Sequence, residues 1–261
     1  MGETTYLRQG AVVLSDLAAN DLNDLMEASE RVIASTDLAE LRQTTVEMLA
    51  AVVESPLVAW NEVCPNTGRI QAVTFPAMDP ALYAELGQAF ALHAGDHPVI
   101  THYRRTSDPR PWAISDFVDL TTFRSSGLYS DFYRPLGAKD QLSFILPDHE
   151  LIIGVALNTA DASITDRERT LCRLLQPVLL QTYRHLSARI RDEQSVTALL
   201  ERRGLTSREA EVMMLLRVSA STKRIASQLG ISPRTVEKHI EHALVKLGVT
   251  SRLQAVALLN S

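Results

Sequence analysis

Val236, Ile240, Ala243, Leu244 and Leu247 recur at i, i+4, i+7, i+8 and i+11. That recurrence is one apolar stripe of an α-helix, so Arg234, Thr235, Glu237, Lys238, Glu241 and His242 fall on its other faces. Guanidinium, ammonium, hydroxyl and carboxylate groups gathered along one helix have the chemistry that reads base edges and phosphates in a DNA major groove. Just upstream, Ala226, Gly230 and Val236 have the spacing of a helix-turn-helix. The small residue lets two helices approach, the glycine takes the turn, and the branched residue seals the angle between them. The second helix of such a pair enters the groove with its N-terminal half nearest the bases.

The elements that must position these groups are sharply punctuated. Thr206-Ser207-Arg208-Glu209 is a capping box ahead of an apolar face of Val212, Met213, Leu215 and Leu216. A second helix runs from Thr222 to Leu229, with Ile225, Ala226 and Leu229 inward. After Gly230-Ile231, Ser232 is an N-cap and Pro233 the first helical residue, where its missing N–H is no loss. Gly248 ends that helix, and Ser251 with Gln254 forms a capping box for a fourth helix through Leu259.

These residues resemble a known family. Leu205-Thr206-x-Arg208-Glu209-x-Glu211-Val212, Lys223-x-Ile225-Ala226, Ile231-Ser232-x-x-Thr235-Val236-x-x-His239 and Lys246-Leu247-Gly248-Val249 look like the LuxR/GerE-type domain over about residues 203–259. The resemblance implies an all-α, four-helix helix-turn-helix that binds double-stranded DNA, as a homodimer through its last helix. It implies phosphate contacts at Lys223, Thr235 and Lys238, with Ser232 at the helix N-terminus, and base contacts at Arg234, Glu237, Lys238, Glu241 and His242. Lys246 is either a phosphate contact or a solvated helix end, and His239 is read as a packed structural residue. Glu237 departs from the family's usual Lys or Arg, Arg224 from its Glu, Thr222 from its Asn and Ser219 from its Gly. Phosphates repel a carboxylate, but one aimed at the groove floor can accept from cytosine N4, so Glu237 puts the family's usual target sequence in doubt.

The preceding residues alternate helix and hairpin. Asp16 to Ala34 is amphipathic, with Leu17, Leu22, Leu25, Met26 and Val32 apolar, and Thr36 caps a helix running to about Val53. Leu57–Val63 and Arg69–Phe75 flank a Pro65-Asn66-Thr67-Gly68 turn. Helices are expected near 80–93 and 97–105. Strands Gln141–Leu146 and Glu150–Leu157 bracket Pro147-Asp148-His149, and a long helix from about Asp166 is interrupted by Pro177, which should kink it. That order is an α+β, GAF/PAS-like domain with an antiparallel sheet between helical layers. Pieces such as His97-Pro98-Val99-Ile100, Ile114-Ser115-Asp116-Phe117 and Tyr129-x-x-Phe132-Tyr133-Arg134-Pro135-Leu136-Gly137 look like the GAF-like domains that precede LuxR-type helix-turn-helices. The expected division is a sensor and dimerisation domain over 1–195 and a DNA-binding domain over 196–261.

A sensor needs a pocket. Trp60, Phe75, His97, Tyr103, Trp112, Tyr129 and Phe132 are its candidate lining, although aromatics at these spacings more often form plain core. Acyl-homoserine-lactone receptors of the LuxR family place Asp-Pro before a β-branched pair and a Trp further on. Here His97-Pro98-Val99-Ile100 and Trp112 carry His for Asp, removing the carboxylate expected to hold the lactone's amide, so that ligand class is not expected and the effector's identity is left open. His93, Asp96, His97 and His102 invite a metal reading, but Gly95 and Pro98 break the helix they would share, and no metal or cofactor is expected. Cys64 and Cys172 lie in surroundings that activate neither. The alternatives to a small-molecule sensor are a protein-interaction module and a metal or redox sensor.

Composition bounds these readings. The 261 residues carry a net charge of −5, which by itself argues against nucleic acid. Residues 196–261, however, hold a net +5 and residues 1–195 a net −10, so an acidic module is joined to a basic one. No apolar run approaches the roughly 18 residues of a membrane span, and Met1–Thr5 lacks the features of a signal peptide, so a cytoplasmic protein is expected. No G-x-S-x-G elbow, phosphate loop or dinucleotide fingerprint is present, so no enzyme is expected.

Overall fold

The computed structural model describes residues 17–53, 55–64, 70–148, 151–160, 164–218 and 220–260. Asp16, the Pro65–Gly68 turn, His149, Glu150 and Ser219 lie outside the described residues. The chain forms two compact units, Met1–Leu186 and Ser187–Ser261.

The first unit is α+β. Helices α1 (Ala19–Ile33) and α2 (Leu38–Val52) lead into strands β1 (Leu57–Val63) and β2 (Ile70–Phe75). Helices α3 (Pro80–His93) and α4 (Pro98–Thr106), the short strand β3 (Trp112–Ala113), a 3₁₀ turn Ile114–Asp116, helix α5 (Leu120–Arg124) and a π-helical turn Tyr129–Tyr133 follow. Strands β4 (Asp140–Pro147) and β5 (Ile152–Thr159) complete one antiparallel sheet of order β2-β1-β5-β4-β3. Helix α6 (Asp166–Arg202) begins in this unit and continues through Pro177 as one helix. The helix caps follow local chemistry with one correction. Asp37, not Thr36, caps α2 by accepting from Glu40 N–H at 2.9 Å, while Thr36 donates its N–H and hydroxyl to the Glu40 carboxylate. In α1, Val32 is buried as expected, but Leu22 and Met26 are exposed.

Because side chains alternate across a strand, the sheet has two faces. Val58 and Trp60 of β1, Leu142, Phe144 and Leu146 of β4, and Ile153, Val155 and Leu157 of β5 point to one side. There they meet Leu41 and Leu49 of α2, Ala28 and Val32 of α1, and Cys172, Leu175, Leu179 and Tyr183 of α6. Glu62 sits on this face and is fully partnered: Arg42 grips it with two bonds of 2.7 and 3.0 Å, and the Trp60 indole donates at 2.9 Å. A smaller cluster gathers Val99, Trp112, Ile114, Phe123, Leu128, Tyr133 and Ala138.

The second unit is all-α: the end of α6, then α7 (Ser207–Arg217), α8 (Thr222–Leu229), α9 (Pro233–Leu247) and α10 (Arg252–Leu259). Its core is Val196, Leu200, Val212, Met213, Leu216, Ile225, Ala226, Val236, Ile240, Ala243, Leu247, Ala255 and Leu259. The fold class read from the sequence, α+β with an antiparallel sheet followed by an all-α unit, is the one observed. Helix α8 ends in a Schellman turn: Gly230 has φ +65°, and Ile231 N–H reaches Ala226 O at 3.0 Å. A Cβ at Gly230 would meet nothing within 4 Å, so alanine there is opposed by the backbone conformation alone. Gly230→Ala is therefore expected to lower the opening free energy of the α8 and α9 amides by about 1 kcal/mol. Native-state hydrogen exchange measures this, and unchanged protection would contradict it.

Candidate nucleic-acid interface and small-molecule cavity

Helix α9 is held by its buried stripe. Val236, Ile240, Ala243 and Leu247 are at most 2% exposed. At 100° per residue, the direction opposite that stripe is occupied by Arg234, Lys238, Glu241 and His242, all exposed. Ser232 caps the helix, accepting from Thr235 N–H at 3.1 Å, and its hydroxyl lies 2.8 Å from that of Thr235. Lys223 and Arg224 stand exposed in the first turn of α8, which Ser221 caps. Among the described residues no acid pairs with Lys223, Arg224, Arg234 or Lys238. Glu237 lies on the flank, its Oε1 3.4 Å from Arg252 Nη2, while Arg252 Nη1 donates to Thr222 Oγ1 at 3.0 Å.

Other charges of the unit are used internally. Arg208 donates to Leu229 O at 2.6 Å, closing the C-terminus of α8, and to Glu211 at 2.6 Å. Arg203 reaches Leu247 O at the end of α9. Glu209 is 5% exposed and closes the capping box with Thr206 N–H at 2.8 Å. Lys246 donates to it at 2.6 Å, and His242 Nδ1 lies 3.8 Å away. Burial pushes the Glu209 carboxyl up, but the bonds from Lys246 and Thr206 outweigh it and hold the pKa at about 2. Lys246 is therefore neither a solvated helix end nor a spare cation: it pins α9 to the start of α7.

In the first unit, the second face of the sheet opens onto a cavity of about 170 Å³. The sheet lines it from alternate strand positions, with the small or polar Ala59 and Asn61 of β1, Gln141 and Ser143 of β4, and Gly154, Ala156 and Asn158 of β5, flanked by the larger Leu57, Val63, Ile145 and Ile152. Tyr83, Leu86 and Phe90 of α3, His97, Val99 and Ile100 at the start of α4, and Phe132 form the walls. His97 is 2% exposed and caps α4, its Nδ1 accepting from Ile100 N–H at 3.4 Å. That leaves Nε2 as the protonated nitrogen, 2.8 Å from the Tyr133 hydroxyl and 3.2 Å from Gln141 Oε1. Gln141 Nε2 donates to Asn158 Oδ1 at 3.1 Å, and Asn158 Nδ2 to Leu57 O at 3.2 Å. Burial pushes His97 down to about 4, so the imidazole is neutral near pH 7.

The family model described as "Bacterial regulatory proteins, luxR family" (GerE) matches residues 203–259. The spore germination protein GerE of Bacillus subtilis is 56% identical over 52 residues, which are 20% of this chain and 70% of GerE. The chain belongs to the LuxR family. The transcriptional activator protein EsaR of Pantoea stewartii is 24% identical over 230 residues, covering 85% of this chain and 90% of EsaR. Among solved structures, Escherichia coli SdiA overlaps at a TM-score of 0.42 and 16% identity, covering 89% of this chain and 94% of that one. A likeness that remote assigns neither ligand nor partner.

Within this LuxR-family chain, the residues expected to line a pocket separate. His97 and Phe132 face the cavity. Trp60 lies on the opposite face of the sheet, fully buried beside Tyr183. Phe75, paired with Val58, also falls outside the lining, as does Tyr103. Trp112 packs with His102 and Phe117, with the Arg110 guanidinium 5.2 Å above its ring, and Tyr129 packs on Phe123. The histidines scatter: His93 pairs with Asp131 at 2.9 Å, His102 lies in that aromatic cluster and His97 in the cavity wall. Cys172 is in the core, where burial pushes its thiol up and keeps it in the unreactive form. The polar lining that aromatic content did not reveal is Asn61, Gln141, Ser143 and Asn158.

The Glu209 carboxyl, lowered from 4.5 to about 2, stabilises the fold above about pH 4.5, and that contribution is lost as the pH falls toward 2. Lys246→Met removes its ammonium partner and is expected to cost the second unit about 1–3 kcal/mol near pH 7. The loss should shrink at about pH 3, as read by urea denaturation. A loss of equal size at both pH values would contradict the ion pair's role.

Proposed function

We propose that this chain is a sequence-specific, DNA-binding transcriptional regulator of the bacterial cytoplasm, acting as a homodimer on double-stranded DNA. Helix α9 is the groove-entering helix. Arg234 and Lys238 present cationic groups from its outward face, with Lys223 and Arg224 beside them on α8. The observation that carries this reading is that these four bases stand exposed with no acidic partner among the described residues, while Arg208, Lys246 and Arg252 of the same unit are engaged. An unpaired cationic face is what counterion release from a duplex requires. Ser232 and Thr235 offer the helix N-terminus and a hydroxyl to phosphate, and Arg234 offers a bidentate fork to guanine. His242 and Glu241 border the same face. Glu237 is held beside Arg252, which offsets the repulsion its carboxylate would meet near phosphates. Lys246 is left out of the phosphate contacts because Glu209 holds it.

In the same reading, the first unit senses a small molecule in the cavity beneath the sheet. A cavity bounded by apolar walls and a few convergent polar groups supports sensing over docking of a protein partner. The buried Cys172 thiol and the dispersed histidines favour neither a redox nor a metal signal.

Lys238→Ala is expected to weaken binding to all duplexes alike and to lower the slope of log affinity against log salt by about one counterion. Fluorescence anisotropy over a salt series measures it. An unchanged slope would remove Lys238 from the interface.

A further inference from the structure

The cavity constrains its occupant through size, charge and polarity. At about 170 Å³ it is close to the roughly 150 Å³ apolar cavity that accommodates benzene in another protein. The limit comes from the sheet: Ala59, Gly154 and Ala156 make the floor, and Phe90 and Phe132, with ring centroids 4.9 Å apart, close the far wall. Offset or edge-on packing against such rings favours an aromatic occupant.

Among the described residues, none that lines the cavity is Asp, Glu, Lys or Arg. An ion entering the cavity would lose its water with no opposite charge to replace it. The polar end is built from two buried carboxamides. Gln141 and Asn158, 6% and 3% exposed, bond to each other, to His97 and to Leu57 O. Each carboxamide carries two N–H donors and two acceptor lone pairs, so each retains one of either kind beyond these bonds. A group that both donates and accepts satisfies that pair, whereas a carboxylate only accepts.

We propose that the cavity takes a neutral, hydroxylated molecule about the bulk of one six-membered ring, the ring against Phe90 and Phe132 and the hydroxyl on Gln141 and Asn158. This rests on the reading of the first unit as a small-molecule sensor, and it narrows that reading to a compact class that excludes carboxylates and long acyl chains. Calorimetric titration of the full chain near pH 7 with phenol, its isostere toluene, benzoate and an octanoyl homoserine lactone tests it. Phenol should bind about 2- to 10-fold more tightly than toluene, the worth of one net hydrogen bond, and benzoate and the lactone should show no binding. Gln141→Met should bring phenol down to the level of toluene. Gly154→Val should abolish phenol binding: a Cβ at Gly154 meets only Ile145 Cδ1, at 3.7 Å, so the backbone accepts it while the cavity fills. Ala156→Val serves as the second filling variant, with circular dichroism confirming that both fold. Benzoate binding as tightly as phenol, lactone binding in place of phenol, or no binding by any probe would overturn the ligand class. Phenol binding unchanged in both filled variants would instead overturn the cavity as the sensing site.

Discussion

The two-residue period of the strands is the constraint on which the first unit depends. It sends Val58 and Trp60, Val155 and Leu157, and Phe144 and Leu146 to a face closed by α1, α2 and α6. The same period sends Ala59, Asn61, Gly154, Ala156 and Ser143 to the other face, where their side chains are too short to meet α3. Close packing on one side fixes the strands in register, and the fixed strands hold open a gap on the other. A one-residue slip of β1 would exchange the faces, putting Trp60 into the cavity and Ala59 into the core. The gap thus follows from side-chain size at alternate positions. Its polar end follows from the Gln141–Asn158 cross-strand pair and from His97, fixed by its cap on α4.

In the second unit the comparable constraint is how charge is divided between holding the fold and facing solvent. Thr206 and Glu209 close the capping box of α7, Arg208 ties the start of α7 to the end of α8, and Lys246 joins Glu209 to the last turn of α9. The angle between α8 and α9 is set by Ala226, Val236 and the left-handed Gly230. With those residues inward and that set of charges consumed, Arg234 and Lys238 remain on the free side of α9. The −5 net charge of the whole chain says nothing of this face.

Much of this was legible in the sequence because it is local. The helix bounds of α8, the caps at Thr206, Ser232 and Ser251, and the stripe Val236–Leu247 are written in residues a few positions apart. The two hairpins and the α+β order were legible for the same reason. The cavity was not, because selecting large aromatic residues selects what fills space. Trp60, Trp112 and Tyr129 pack, and the lining is instead marked by small and polar residues alternating with large apolar ones along β1, β4 and β5. Nor could the engagement of Lys246 be read, since Glu209 is 37 residues away and meets it only when α7 and α9 pack.

Helix α9 is proposed as the surface that meets DNA. Amide chemical-shift mapping of the isotope-labelled full chain, titrated with a duplex selected from a randomised pool, tests it most directly. Perturbations are expected to concentrate from Ser232 to His242 and at Lys223 and Arg224, with Val236 and Ile240 shifting least among the α9 positions. Perturbations centred away from α8 and α9, or failure to select any duplex, would contradict it.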